Sequence, residues 1–177
     1  MNDVFIEQIV LKKQDLKSTL KKMGIILAAL LIPSAFLLIA ILRFVFPVVL
    51  AISCWLAWIL LKNQNIEFEY SYTNGELDVD KILGKRRREH VASVSVRRFD
   101  ILAPFTTEFA KEFESKTIRT IHDVSPDAKS EKRWFARYTD DGGVETLLIF
   151  EPNDRMLAAM GRLIPRKFKG TLPELPQ

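Results

Sequence analysis

The run Ile66-Glu67-Phe68-Glu69-Tyr70-Ser71-Tyr72-Thr73-Asn74-Gly75-Glu76-Leu77-Asp78-Val79-Asp80 alternates apolar and polar residues on both sides of an Asn-Gly pair. Period-two alternation marks half-buried strands, and Asn-Gly is the strongest short-range hairpin signal. A two-residue turn at Asn74-Gly75 sets Tyr72 opposite Leu77 and Tyr70 opposite Val79, so the apolar faces of the two strands coincide. The fold therefore contains an antiparallel sheet, and its first hairpin is already in register.

Downstream, Gly84-Lys85 suggests another turn, leading into a strand with Ala92, Val94 and Val96 on one face. Phe99 to Leu102 reads as a short strand. Phe105, Phe109 and Phe113 are spaced by four, as on one face of a short helix, and Lys116 to Ile121 reads as strand. Asp123 to Lys132 is a polar loop. Trp134, Ala136 and Tyr138 alternate, Asp140-Asp141-Gly142-Gly143 turns, and Val144 to Phe150 returns as a strand. A final helix has Asn153 as its cap, Asp154 in its first turn and Leu157, Met160 and Ile164 as its inward stripe, with Pro165 as its stop. The soluble domain then spans residues 62–168, and residues 169–177 form a flexible tail.

Upstream the composition changes. From Met23 to Leu61 there are 39 residues with one charge, Arg43. A helix of that length would reach roughly 58 Å, about twice a hydrocarbon core, so the segment should double back. The turn is expected at Arg43 to Pro47, where the charge and a helix-breaking proline meet. This makes residues 23–61 two transmembrane helices, about Met23 to Leu42 and Pro47 to Leu61. Pro33 lies midway along the first. A soluble helical hairpin is the competing reading, but a domain of this size would not cover so much apolar surface. The run is also too long, and starts too late, for a cleaved signal peptide.

Lysines 12, 13, 17, 21 and 22 precede the first span. Lys62, Lys81 and Lys85 to Arg88 follow the second. By the positive-inside rule the protein is a multi-pass cell-membrane protein with both termini cytoplasmic. Trp55 and Trp58 lie close enough to Lys62 to form an interfacial aromatic belt. Residues 1–22 are expected as an amphipathic helix capped by Asn2, with Phe5, Ile9, Leu16 and Leu20 on one face. That face meets either the bilayer interface or the protein's own soluble domain.

Several antiparallel strands closed by one C-terminal amphipathic helix outline a pleckstrin-homology-like (PH-like) barrel or sheet. The fold class is thus α+β, a transmembrane helical hairpin followed by that antiparallel domain. The blocks Phe68-Glu-Tyr-Ser-Tyr-Thr-Asn-Gly-Glu-Leu77, Arg86-Arg-Arg-Glu-His-Val91 and Leu148-Ile-Phe-Glu-Pro-Asn153 resemble successive parts of bacterial PH-like domains placed after two membrane helices. Over nearly its whole length the chain resembles a family of small two-span membrane proteins from clostridial-type Gram-positive bacteria. The resemblance implies a fold and carries no catalytic signature. Residues from Thr106 to Lys132 form an insert relative to the simplest pattern.

No motif carries a signature of catalysis, a metal site or a cofactor site. The only cysteine, Cys54, lies in the second span, so the chain forms no internal disulfide. His90 and His122 have no metal-ligand spacing, and His122-Asp123 reads as a strand-to-loop junction. No phosphate-binding glycine loop or nucleophile elbow occurs, and Gly142-Gly143 reads as a hairpin turn. Glu69 and Asp80 face each other in the proposed register. The pair suits a cation or a shared proton, or else a neighbouring arginine such as Arg87 neutralises it.

Lys85, Arg86, Arg87 and Arg88 form the densest charge in the chain. They are the candidate contact with anionic headgroups, at roughly 1 kcal/mol per basic residue near the surface. The competing reading is a solvated turn matched to neighbouring acids. Nucleic acid is not the expected partner, because residues from Lys62 onward hold 20 basic and 19 acidic side chains. The expectation is a membrane-anchored, non-enzymatic binding or scaffold module. Its partners would be the lipid bilayer and a protein partner or a second copy. The alternatives are an accessory subunit of a larger membrane complex, or an enzyme or transporter component with an unrecognised site.

Overall fold

The computed structural model describes residues 4–14, 16–62, 65–114 and 117–173. They form two compact units, one holding the N-terminal strand, residues 67–82 and everything from 87 onward, the other holding residues 13–66 with 83–86.

The first unit begins with a correction. Residues Phe5–Leu11 are a strand, β1, and not the first turns of an amphipathic helix. β1 pairs antiparallel with β2, Ile66–Thr73, from Phe5 opposite Thr73 to Leu11 opposite Glu67. The helical wheel misled because Phe5 and Ile9 are four apart, while Ile6 and Val10 make the other face apolar as well. With both faces apolar, the period of two is hidden. The proposed Asn2 cap lies outside the described residues.

β3, Glu76–Leu83, and β4, Arg87–Ser95, complete a four-stranded sheet in the order β1-β2-β3-β4. The Asn74-Gly75 turn is present, and Tyr70, Tyr72, Leu77 and Val79 are all buried, as the alternation requires. A short 3-10 turn at Val96–Arg98 carries the chain into a second sheet.

That sheet contains β5, Phe99–Pro104, β6, Thr120–Asp123, β7, Trp134–Thr139, and β8, Glu145–Phe150, in the order β5-β7-β8-β6. β6 runs parallel to β8 and begins four residues later than the expected Lys116. Among the described residues the two sheets stay separate, so the architecture is a pair of sheets and not a closed barrel.

Both faces of the second sheet are covered, which explains the nearly unbroken apolar run of β8. On one face the insert supplies a 3-10 turn and a one-turn helix α3, Ala110–Phe113. Its Phe109, Phe113 and Ile118, with Phe105 just before it, pack on Ile101, Ala103, Phe135, Leu147 and Ile149. Elsewhere in the interior, fully buried Tyr70, Phe150, Met156 and Met160 belong to the main core. There the Tyr70 and Phe150 rings meet edge-on at 5.9 Å, and the Tyr70 hydroxyl donates to the Val124 carbonyl at 2.6 Å.

The closing helix, α4, is Asp154–Leu163. Its cap is the expected one, with the Met156 N–H donating to Asn153 Oδ1 at 2.9 Å. Leu157, Met160 and Ile164 are buried. The tail departs from expectation, because the backbone after the helix runs along β5. The Leu102 N–H donates to the Lys167 carbonyl at 3.0 Å, the Lys169 N–H donates to the Leu102 carbonyl at 2.8 Å, and Phe168 stacks on Trp134. Residues 174–177 of the expected flexible tail lie outside the described ones.

In the second unit, α1, Leu16–Ala35, passes through Pro33 without ending. After it come 3-10 segments at Phe36–Leu38 and Ala40–Val45, separated by extended Ile39, and then α2, Phe46–Lys62. The chain therefore turns before Arg43. Pro47 sits in the first turn of α2, where its missing N–H costs nothing, so it starts a helix where the sequence suggested a break. Ile25, Ala28, Ala29 and Ile32 face Ser53, Leu56, Ala57 and Leu60 across a narrow groove, as expected of antiparallel packing. Two helices, Ser18–Leu38 and Ala40–Lys62, are long and apolar enough to cross a membrane, and only 6% of each is buried.

In chain order the helical hairpin leaves from the end of β1 and returns at the start of β2. The expected division into residues 1–22 and 62–168 thus cuts through one sheet.

Candidate functional site

The β3–β4 connection is a tight turn in which Gly84 and Lys85 both adopt positive φ, 56° and 60°. The Arg86 N–H closes it on the Leu83 carbonyl at 3.1 Å. The Gly84 N–H donates to the Asn65 carbonyl at 2.8 Å, which ties the turn to the chain three residues past the end of α2. Lys85 and Arg86 thereby belong to the same compact unit as the apolar hairpin.

The four candidate cations divide into two pairs. Arg88 reaches back across the sheet to half-enclose Glu69, with nitrogens 3.3 Å and 3.1 Å from the two carboxylate oxygens. Glu69 is buried, so this ion pair has a structural role. Arg87 lies 3.3 Å from Glu89, which Lys81 also approaches at 3.6 Å, and it stays largely exposed. Lys85 and Arg86 are exposed, and among the described residues no carboxylate pairs with either. The sequence reading therefore named the right mechanism for neutralising Glu69 but the wrong arginine. Asp80 has its own partner, His90, with Nδ1 2.9 Å from Oδ1. Each acid thus has its own protein partner, and no group of three metal-ligating side chains exists among the described residues.

The hairpin contributes features of its own. Lys62 Nζ lies 4.8 Å from the Trp58 ring centroid, and Trp55 and Trp58 are exposed. Arg43, the one charge in the apolar run, donates from Nε to the Leu37 carbonyl at 3.1 Å.

Two grooves were not foreseen from the sequence. One, about 400 Å³, runs between β4 and β6 and brings together both histidines, His90 and His122, with Arg98, Tyr138, Asp140 and Asp141. Arg98 is held there by Asp141 and the Thr139 carbonyl, and that hydrogen bond raises its pKa. Asp123 is engaged by the Ser125 hydroxyl at 2.6 Å and N–H at 3.1 Å, so His122-Asp123 is a turn at a strand end, as read. Gly142-Gly143 is likewise a turn, with Gly143 at φ 75° and Val144 N–H donating to Asp140 Oδ1. The other groove, about 790 Å³, lies between β1 and the closing helix and includes Phe5, Glu7, Tyr72, Arg155, Ala159 and Arg162. Only the pairing of elements distant in sequence creates either one.

No curated protein and no solved structure matches the chain. One family does, and its match runs from residue 2 to residue 170. It therefore takes in β1, both apolar helices, the two sheets and the closing helix together: the chain belongs to the bacterial PH-like domain family DUF6106.

Proposed function

We propose that this protein is a two-span, membrane-anchored binding module without enzymatic activity, from a clostridial-type Gram-positive bacterium. Both termini are cytoplasmic, and the exposed β3–β4 turn holds the PH-like domain against the anionic inner leaflet. One observation carries the reading. Lys85 and Arg86 have no carboxylate partner among the described residues, and their turn is hydrogen-bonded to Asn65, just beyond α2. Charges kept that near the end of a span lie within a Debye length of the headgroups. Arg87 adds to them, and Arg88 is assigned to Glu69.

Pairing of β1 with β2 supports the topology, because it keeps the two outer ends of the hairpin on one side of the bilayer. Lysines flank those ends, and that side is the cytoplasmic one by the positive-inside rule. Tethering also makes a weak headgroup contact effective, since the second contact is intramolecular.

The test uses full-length protein in nanodiscs, with Cys54→Ser and Lys85→Cys carrying a polarity-sensitive dye. Anionic lipid should shift the emission to the blue relative to neutral lipid, and salt should reverse the shift. Arg86→Gln with Arg87→Gln should remove it, while Arg88 is left intact to hold Glu69. Identical spectra in neutral and anionic nanodiscs would refute the leaflet contact.

A further inference from the structure

We propose that the groove between β1 and α4 binds an extended, alternating acidic and apolar segment of a protein partner, which adds as a strand to β1. This site is separate from the basic turn and does not rest on the leaflet reading.

β1 stands at the end of its sheet and, among the described residues, pairs only with β2, so its outer edge is left without a strand partner there. Exposed edges are normally protected by charge, proline or a bulge. Phe5–Leu11 has one charge, Glu7, no proline, and an unbroken register with β2. An edge left this open suits strand addition, in which the backbone supplies affinity and alternate side chains supply specificity.

The two faces of the groove specify those side chains. The inward face of β1 looks to α4, because Gln8 bonds the Glu151 carbonyl at 3.0 Å and the Asn153 N–H at 2.7 Å, where that helix begins. From α4, Arg155, Ala159 and Arg162 share one face, with the arginines roughly 10 Å apart along the axis. Both are exposed and have no carboxylate partner among the described residues, whereas Arg88, Arg98 and Arg137 are each paired. Ala159 between them leaves room for a backbone. Acids at alternate positions of an added strand fall about 7 Å apart, within reach of two flexible guanidiniums.

The outward face asks for the opposite chemistry. Phe5 and Ile9 stand there 62% and 53% exposed, and apolar cross-strand neighbours would cover them. Glu7 lies on the same face and disfavours acids on that side. The fitting partner is therefore acidic toward α4 and apolar outward.

The probe is a fluorescent seven-residue peptide alternating valine and glutamate, titrated into full-length protein in neutral-lipid nanodiscs and followed by anisotropy. Saturable binding is expected. Arg155→Glu with Arg162→Glu should weaken it about tenfold, the size of effect expected for losing charged anchors. A valine–lysine peptide should not bind, and N-methylation of alternate amides should abolish binding by blocking strand addition. Arg86→Gln with Arg87→Gln should leave it unchanged, which separates this site from the leaflet contact. Both helix arginines are exposed, so the double variant should melt like the parent, and Ala159→Trp offers a second block of the same groove. Three results would each overturn the proposal: no saturation, equal binding by the charge-reversed protein, or equal binding of the N-methylated peptide. Displacement of the peptide by inositol hexakisphosphate with no dependence on N-methylation would assign the groove to phosphate instead.

Discussion

Asn74 and Gly75 show how far single residues determine this fold. Both hold positive φ, 50° and 103°, which a two-residue hairpin matching the sheet twist demands. A Cβ on Gly75 would also lie 3.1 Å from the Leu163 side chain, so backbone strain and crowding act together. Gly75→Val should cost on the order of 1 kcal/mol or more and lower the melting temperature of the detergent-solubilised protein. An unchanged melt would count against the turn. The three tyrosines make a second test. Burial pushes the phenols of Tyr70, Tyr72 and Tyr138 above their ordinary 10.0. A folded pKa above the unfolded one means stability is intact below about pH 10 and falls as pH rises past it. The loss is up to about 1.4 kcal/mol per pH unit for Tyr70, the most deeply enclosed phenol, and smaller for Tyr72 and Tyr138, where solvent screens the charge. Denaturant titrations on either side of that pH should show this decline, and Tyr70→Phe should make it shallower. The same substitution should cost about 1 kcal/mol at neutral pH, through loss of the bond to Val124.

β1 is the element on which the sequence reading failed, and the reason is instructive. A strand's period of two is visible only if one face is polar, and Phe5, Ile6, Ile9, Val10 and Leu11 populate both faces. Its partner, β2, is more than fifty residues away, beyond the reach of any local pattern. β2, β3, β8 and the closing helix were readable because each carries its own evidence: an Asn-Gly turn, an uninterrupted apolar run, or a capping Asn153 before a stripe. The site divided in the same way. The basic turn was visible as a run of charge, but which cation faces Glu69 depends on strand register, and both grooves depend on tertiary pairing. Gln8 offers a direct check on β1. Its side chain bonds Glu151 and Asn153 at once, so Gln8→Ala should destabilise the protein by about 1–2 kcal/mol. On a helix lying in the interface the same change would have almost no effect on the melt.

At the scale of the whole molecule, the PH-like domain carries its apolar helical hairpin as an insertion between its first two strands. Leu11 and Glu67 are paired neighbours in the sheet, yet the apolar helices separate them in sequence. The hairpin is therefore joined to the domain by two chain connections, one from the end of β1 and one into the start of β2. This also means that no cut between the apolar hairpin and the residues after it releases an intact domain. The decisive measurement compares thermal melts of two proteins. In one, a short glycine-containing loop replaces residues 13–65 and joins β1 directly to β2; the other starts at residue 66 and lacks β1. The insertion predicts a soluble protein with a cooperative melt for the first and loss of that cooperativity, or a much lower midpoint, for the second. Equal cooperative melts at the same temperature would show that β1 is not part of the sheet and would contradict the account.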